Sequence, residues 1–369
     1  LQSIDIFCRV VDNYGDIGVC WRLARQLHAL AGACRIRLWV DNLQAFARIQ
    51  PGVLAQCDRQ TAAGIEIIRW TDPAPDLDPA DVVIEAFACD PPARFIERMK
   101  PRPHVWIDLE YLSAESWIES CHALPSRQAS GMVKTFFFPG FTPATGGLLR
   151  EQGLLDRRDR WLADPALRWR LLESLGLPRP QIERLRNGAR QALLFCYPQA
   201  PAQALAQSLK RQHPPCVLVV PQGVYPGLSS QSDDSLYVHE APFVDQDRFD
   251  ELLWSADLNL VRGEDSLVRA LWAGKPLVWQ IYPQQDQVHL HKLDAWLARS
   301  PYSPKVHAVI RAWNTGDGAD FGDGLDRLLE PAAWSAWRAA SARWSRQLAG
   351  QADLAGSILA FCAEQWRKG

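Results

Sequence analysis

Short apolar runs at 4–11, 36–40, 65–70, 82–86, 104–109 and 134–138 read as buried strands. Between them the period changes to that of a helix. Val19, Leu23, Leu27 and Leu30 form one stripe, and 45–49 and 92–100 are further helical segments. From 146 to about 180 the chain becomes charged and punctuated by Gly and Pro, with Arg157-Arg158-Asp159-Arg160 inside it. This texture is read as a connection between domains. Alternation then resumes, with strands expected at 192–196, 216–220, 236–240 and 258–261, and helices at 202–212 and 247–255. Amphipathic helices are expected at 334–348 and 354–366. Strand and helix in alternation favour right-handed βαβ units on a doubly wound sheet. The expected organisation is therefore α/β: two Rossmann-like domains facing a cleft, at 1–160 and 185–349, with 161–184 as linker. By analogy with such architectures, the last helix, 350–369, is expected to cross back onto the first domain.

Residues 257–279 carry the most specific local pattern. They predict a strand to Val261, a polar loop Arg262 to Asp265, a helix from Ser266, a Gly-Lys-Pro stop and another strand. The free amides at such a helix start suit a pyrophosphate, with Arg262 and Ser266 as added donors. An ordinary capped helix in an α/β domain would carry the same residues.

At 369 residues the chain has room for two cores, and 47% apolar with 22% charged residues is an ordinary globular balance. The net charge of −2 gives no global pull toward nucleic acid or an anionic membrane, so neither is expected as a partner. Nine scattered cysteines lack the close pairs of zinc or redox motifs and are expected to be reduced and buried. With a strand expected almost at the first residue, no leader segment is expected, and the protein reads as soluble and cytoplasmic. The sixteen tryptophans are read mainly as core.

In an open α/β sheet the loop after the first strand is the default ligand site. Here that loop, Asp12-Asn13-Tyr14-Gly15-Asp16-Ile17-Gly18, has two aspartates and lacks Gly-x-Gly-x-x-Gly. Two carboxylates repel a phosphate, so the loop suits a cation or a proton, unless Asp12 and Asp16 are merely turn and cap residues. The anion site then falls to Arg262–Ser266; no phosphate-loop motif occurs. A cation-seeking half and an anion-seeking half suggest group transfer from a phosphorylated donor to a deprotonated acceptor. Phe195, Tyr197 and Phe243 follow strands and offer stacking faces, and Gln246 offers both hydrogen-bonding roles to a pyrimidine edge, although each alone is commonly a packing residue. His289 and His291 with Asp286 and Asp294 are a weak metal candidate, since side chains two apart on a helix diverge. No metal is expected.

Three long motifs carry a family resemblance: Val10-Val11-Asp12-Asn13-Tyr14-Gly15-Asp16-Ile17-Gly18-Val19, the stretch from Leu109 to Trp117, and Arg262-Gly263-Glu264-Asp265-Ser266 followed by Tyr282 to His289. The chain resembles the bacterial protein-arginine rhamnosyltransferases of the EarP family along nearly its whole length. The resemblance implies a GT-B fold and an inverting transfer of L-rhamnose from dTDP-β-L-rhamnose, with no cofactor beyond that co-substrate. The implied acceptor is one arginine of translation elongation factor P. It implies Asp12 and Asp16 on the acceptor guanidinium, with Asp16 as base, and Glu264 as a further essential acid. Arg262, Asp265 and Ser266 would surround the diphosphate, and Phe195, Tyr197, Phe243, Gln246 and Tyr282 would complete the donor pocket, with Tyr14 and Gly15 contributing from the first loop. A GT-B transferase with a hydroxyl acceptor, for which one carboxylate base would suffice, and a non-catalytic nucleotide-sugar-binding module are the alternatives. The acidic first loop disfavours a nicotinamide dehydrogenase.

Overall fold

The computed structural model describes residues 2–12 and 14–368. The chain divides into two compact units, Leu1–Gln152 with Gly350–Gly369, and Gly153–Ala349.

The first unit opens with β1 (Ser3–Cys8), α1 (Gly15–Ala31), β2 (Arg35–Val40), α2 (Leu43–Ile49), β3 (Arg59–Ala62) and β4 (Ile65–Arg69). It continues with β5 (Val82–Ala86), α3 (Ala93–Met99), β6 (Val105–Leu109), α4 (Trp117–Cys121), β7 (Pro125–Arg127) and β8 (Val133–Phe137). These strands form one sheet in the order β3-β4-β2-β1-β5-β6-β8-β7. Every pairing is parallel except the two edge pairs β3·β4 and β7·β8. Counting only the parallel strands, the order is that of a doubly wound Rossmann sheet, and its switch point lies between β1 and β5. The central strands are apolar on both faces because helices cover both. One face buries Phe7, Trp39, Ile68, Val83, Phe95, Met99 and Trp106 as a single cluster. Phe7 lies stacked on Trp39 at 4.9 Å and meets Phe95 edge-on at 4.8 Å.

The second unit begins with three helices, α5 (Leu154–Ala163), α6 (Pro165–Ser174) and α7 (Arg179–Arg186). The charged stretch 161–184, expected as a linker, is therefore helical and lies inside this unit. Most of its charged residues are exposed, while Trp161, Leu171, Leu172 and Ile182 are buried. Then follow β9 (Gln191–Leu194), α8 (Ala202–Lys210), β10 (Cys216–Pro221), β11 (Leu236–Ala241), α9 (Gln246–Ser255), β12 (Leu258–Arg262), α10 (Gly263–Ala273) and β13 (Leu277–Gln280). The helices α11 (Val288–Arg299), α12 (Pro304–Thr315), α13 (Gly318–Leu329) and α14 (Pro331–Ala349) complete the unit. Its sheet, β11-β10-β9-β12-β13, is parallel throughout and repeats the same winding, with its switch point between β9 and β12.

The final helix α15 (Leu354–Lys368) belongs to the first unit and packs on α1. Gln26 donates through Nε2 to Arg150 O at 2.6 Å and to Asp353 Oδ1 at 2.5 Å, and Phe361 meets Phe137 edge-on at 5.8 Å. Trp21, Trp39, Trp272, Trp296, Trp313 and Trp337 are among the largest wholly buried side chains, in keeping with tryptophan as core. All nine cysteines are free thiols, and burial pushes Cys196 and Cys362 up to about 12 and Cys216 up to about 11. Among the described residues no helix is long and apolar enough to cross a membrane.

Candidate active site

In the first unit, β1 ends at Cys8 and the chain turns into α1 with Tyr14 at the N-cap, whose side chain makes no capping hydrogen bond. Asp16 lies in the first helical turn, 3% exposed, yet it does not cap its own helix. Its Oδ2 accepts from the backbone N–H groups of Val11 and Asp12, at 2.7 and 2.8 Å, and so folds the loop back over the carboxylate. Burial raises its pKa above the ordinary aspartate value, against the two loop N–H groups that lower it; Asp12 and Asp41 add repulsion. The Gly15 N–H donates to Asp12 O at 2.6 Å. A Cβ on Gly15 would stand 2.9 Å from Asp12 Oδ2, so glycine here leaves room for the carboxylate. Tyr14 is half-buried, with the Arg48 guanidinium 5.9 Å from its ring centroid. Asn13 lies outside the described residues.

The floor of this strand end is acidic too. Glu85 and Asp108, paired in register on β5 and β6, share Lys134 Nζ at 2.5 and 2.8 Å. Glu85 is pushed up to about 7, by burial above all, with Lys134 opposing and Asp108 reinforcing the rise.

In the second unit the expected polar loop 262–265 does not exist. β12 runs to Arg262, Gly263 takes φ +65°, and α10 starts there, so Glu264 and Asp265 occupy its first turn. Carboxylates are favoured in that turn by the helix dipole, and the glycine supplies the left-handed step that lets strand pass straight into helix. Trp279 Nε1 donates to Gly263 O at 2.8 Å and pins the corner. Arg262, the N-cap residue, makes no side-chain cap; its guanidinium lies 4.5 Å from the Phe195 ring centroid and 4.8 Å from that of Tyr197. Its Nη1 donates to Cys196 O at 2.7 Å. Since β9 and β12 are neighbours, Phe195 and Tyr197 on one strand end and Arg262 on the next flank the switch point. Tyr282, 45% exposed, meets Tyr197 edge-on at 5.6 Å. Gln246, in the first turn of α9, donates through Nε2 to Asp265 Oδ2 at 3.4 Å, so its amide N–H is directed to α10. Ser266 is buried in α10. Phe243 is half-buried after β11, the edge strand.

Three residues outside the expected set hold this arrangement. Gln280 Oε1 accepts from Tyr197 N–H at 2.8 Å and fixes the aromatic loop from β13. A glutamine closing the apolar run Leu277-Val278-Trp279 was its only signal. Arg269 and Asp250 form a buried two-bond pair between α10 and α9, Nε to Oδ1 at 2.9 Å and Nη2 to Oδ2 at 2.6 Å. Of the weak metal candidates, His289 Nδ1 accepts from Gln284 N–H at 3.1 Å and Asp294 pairs with Arg311. Among the described residues no group of three or more His, Cys, Asp or Glu could hold a metal ion.

Comparison with known proteins gives these strand ends a context. The family profile described as "Elongation-Factor P (EF-P) rhamnosyltransferase EarP" matches residues 4–363. A protein-arginine rhamnosyltransferase of Pseudomonas aeruginosa is 44% identical over 388 residues, covering 99% of this chain and 100% of the relative. A solved structure concerned with EarP-mediated arginine glycosylation of translation elongation factor EF-P superposes with a TM-score of 0.65 at 33% identity, covering 99% of both chains. A UDP-glucose:anthocyanidin 3-O-glucosyltransferase in complex with UDP, at 13% identity, TM-score 0.53, and 99% and 98% coverage, shares the fold alone. The chain belongs to the EarP family of protein-arginine rhamnosyltransferases and has the GT-B glycosyltransferase fold.

Proposed function

We propose that the protein transfers L-rhamnose from dTDP-β-L-rhamnose to a guanidinium nitrogen of one arginine of translation elongation factor P, inverting the anomeric carbon. The observation that carries this reading is Asp16: a buried carboxylate, held by two loop amides beside Asp12, at the switch point of the first unit. Two carboxylates suit a cationic acceptor, whereas a hydroxyl acceptor needs one base.

A guanidinium has a pKa above about 12, so its nitrogen is hardly nucleophilic at neutral pH. Asp12 and Asp16 grip it, and proton loss accompanies attack. The nitrogen forms its bond to C1 of rhamnose as the bond from C1 to the diphosphate oxygen breaks. The nitrogen's proton passes to Asp16, and dTDP leaves with the electron pair. Attack opposite the leaving group turns the β-linked donor into an α-linked product.

Arg262 and the N-terminal backbone amides of α10, at the positive end of the helix dipole, would absorb the leaving-group charge, so the proposal requires no metal. Ser266 and Asp265 line that turn. Phe195, Tyr197, Phe243, Gln246 and Tyr282 would hold the nucleotide, with Tyr14 and Gly15 contributing from the first loop. Glu264 would repel a diphosphate and is assigned to the reacting sugar or the acceptor guanidinium.

Incubation with dTDP-rhamnose and elongation factor P should add the mass of one deoxyhexose residue to a single arginine peptide; no such gain would refute the assignment. For Arg262→Lys we expect dTDP affinity to fall by about 1.5–3 kcal/mol, roughly 10- to 150-fold, as read by titration calorimetry. An ammonium keeps the charge but loses the planar contact with both rings. Unchanged dTDP binding would remove Arg262 from the leaving-group site.

A further inference from the structure

The segment after β5 has a backbone that ordinary residues avoid. Phe87, Ala88 and Asp90 take φ of +60°, +51° and +50°. None is glycine, and each left-handed residue of this kind costs on the order of 1–3 kcal/mol, a strain that structures keep mostly where it serves a site. The surroundings hold it firmly. Phe87 N–H donates to Leu109 O at 2.7 Å, continuing the β5·β6 ladder past its end. Cys89 is buried in the core cluster, with its Sγ 3.4 Å from Phe7 O on β1.

The product of this strained turn is a pair of rings. Phe87 lies parallel to Tyr111, interplanar angle 16°, centroids 4.4 Å apart. Phe87 is half-buried, and Tyr111, two residues beyond β6, is 37% exposed. Because β1 and β5 are neighbours, the loop with Asp12 and Asp16 and the turn with Phe87 flank one switch point, where open α/β sheets take their ligands. The second unit has the same device at its own switch point, where the rings of Phe195 and Tyr197 receive the guanidinium of Arg262.

We infer that the Phe87–Tyr111 stack is the platform on which the acceptor arginine lays its guanidinium plane, an inference that rests on the arginine reading above. The two contacts on the cation are complementary. Carboxylates take its N–H groups at the edge, in the plane, and an aromatic face takes one of its two flat sides. The nitrogen electrons that attack carbon lie perpendicular to that plane. A ring covering one side leaves only the other open to the donor, so the stack selects the side of attack and orients the nitrogen as well as binding it.

The test uses the full chain with elongation factor P and dTDP-rhamnose. Tyr111→Leu should raise the KM for elongation factor P about 3- to 30-fold, the range of a cation–π contact, and lower kcat, with the KM for dTDP-rhamnose unchanged. Tyr111→Phe, which keeps the ring, should restore acceptor KM to within about twofold of wild type. Phe87→Leu should behave as Tyr111→Leu; should its strained backbone fail to fold, the two Tyr111 variants decide alone. An acceptor KM for Tyr111→Leu equal to that of wild type overturns the platform, and so does an equal rise in donor KM. Wild-type protein that leaves elongation factor P unmodified overturns the arginine reading first, an outcome distinct from active wild type with an indifferent Tyr111→Leu.

Discussion

Asp16→Asn is expected to lower kcat by about 100- to 10,000-fold, the usual worth of a positioned base, while dTDP-rhamnose binding stays within about twofold of wild type. The substitution is clean because one oxygen, Oδ2, accepts both loop N–H groups. Asparagine's Oδ1 can take that place, so the loop survives while the charge and the proton acceptor go. Asp16→Ala leaves both amides without their acceptor and should loosen the loop as well. Single-turnover rates with separate nucleotide titrations check this, and an equal loss of donor binding in Asp16→Asn would return Asp16 to a structural role.

The pH dependence follows from the same carboxylate. Its folded pKa is raised by burial, so the acid limb of kcat should lie above the ordinary aspartate value of about 3.9, with activity lost as pH falls through the raised pKa. Stability runs the other way. Between the unfolded and folded pKa values the folded state binds more protons, so Asp16 contributes stability at low pH that is lost as pH rises through the folded pKa. Asp16→Asn is therefore expected to match or exceed the wild-type Tm at neutral pH while being nearly inactive.

What could be read before folding was what local pattern encodes. The parallel strands announce themselves because burial on both faces makes them continuously apolar, as Cys216-Val217-Leu218-Val219-Val220 illustrates. The edge strand Arg59-Gln60-Thr61-Ala62 does not, because it is mostly solvated and gains its structure from pairing with β4. The stretch 161–184 reads as a linker because it is charged and punctuated by Gly and Pro in the sequence. In the candidate site, Asp12 and Asp16 stood out because acidic residues occupy the loop where such sheets usually take a phosphate, and Arg262 because it precedes an apolar-periodic helix. Phe87 and Gln280 did not, and Tyr111 did so only as one residue of the 109–117 motif. Their roles are made by strand order, which sets residues distant in the chain side by side, and by positive φ values at ordinary residues, which no composition signals.

The second large effect concerns stability. Asp250 and Arg269 are 1% and 2% exposed, and their double hydrogen bond joins α9 to α10. Asp250→Ala would leave a guanidinium buried without its carboxylate, which costs about 3–5 kcal/mol. Exposed Arg157, 3.7 Å from Asp250, also loses a partner, but water screens it. For a unit of this size the expected fall in Tm is roughly 6–20 °C. Replacing both partners by apolar residues of similar reach, Asp250→Leu with Arg269→Met, should recover most of that loss, because neither charge then needs solvation. The functional consequence separates from the thermal one. Gln246 and Asp265 stand in the first turns of the two joined helices and bond to each other, so the ion pair is expected to set the spacing of these two residues proposed for the donor pocket. The double variant should accordingly be stable yet bind dTDP more weakly than wild type, measured by unfolding and by titration on the same preparation. If it regained stability and full dTDP affinity together, the pair would be packing alone; if it stayed as unstable as Asp250→Ala, the geometry of the two bonds, rather than the uncompensated charge, would hold α9 to α10.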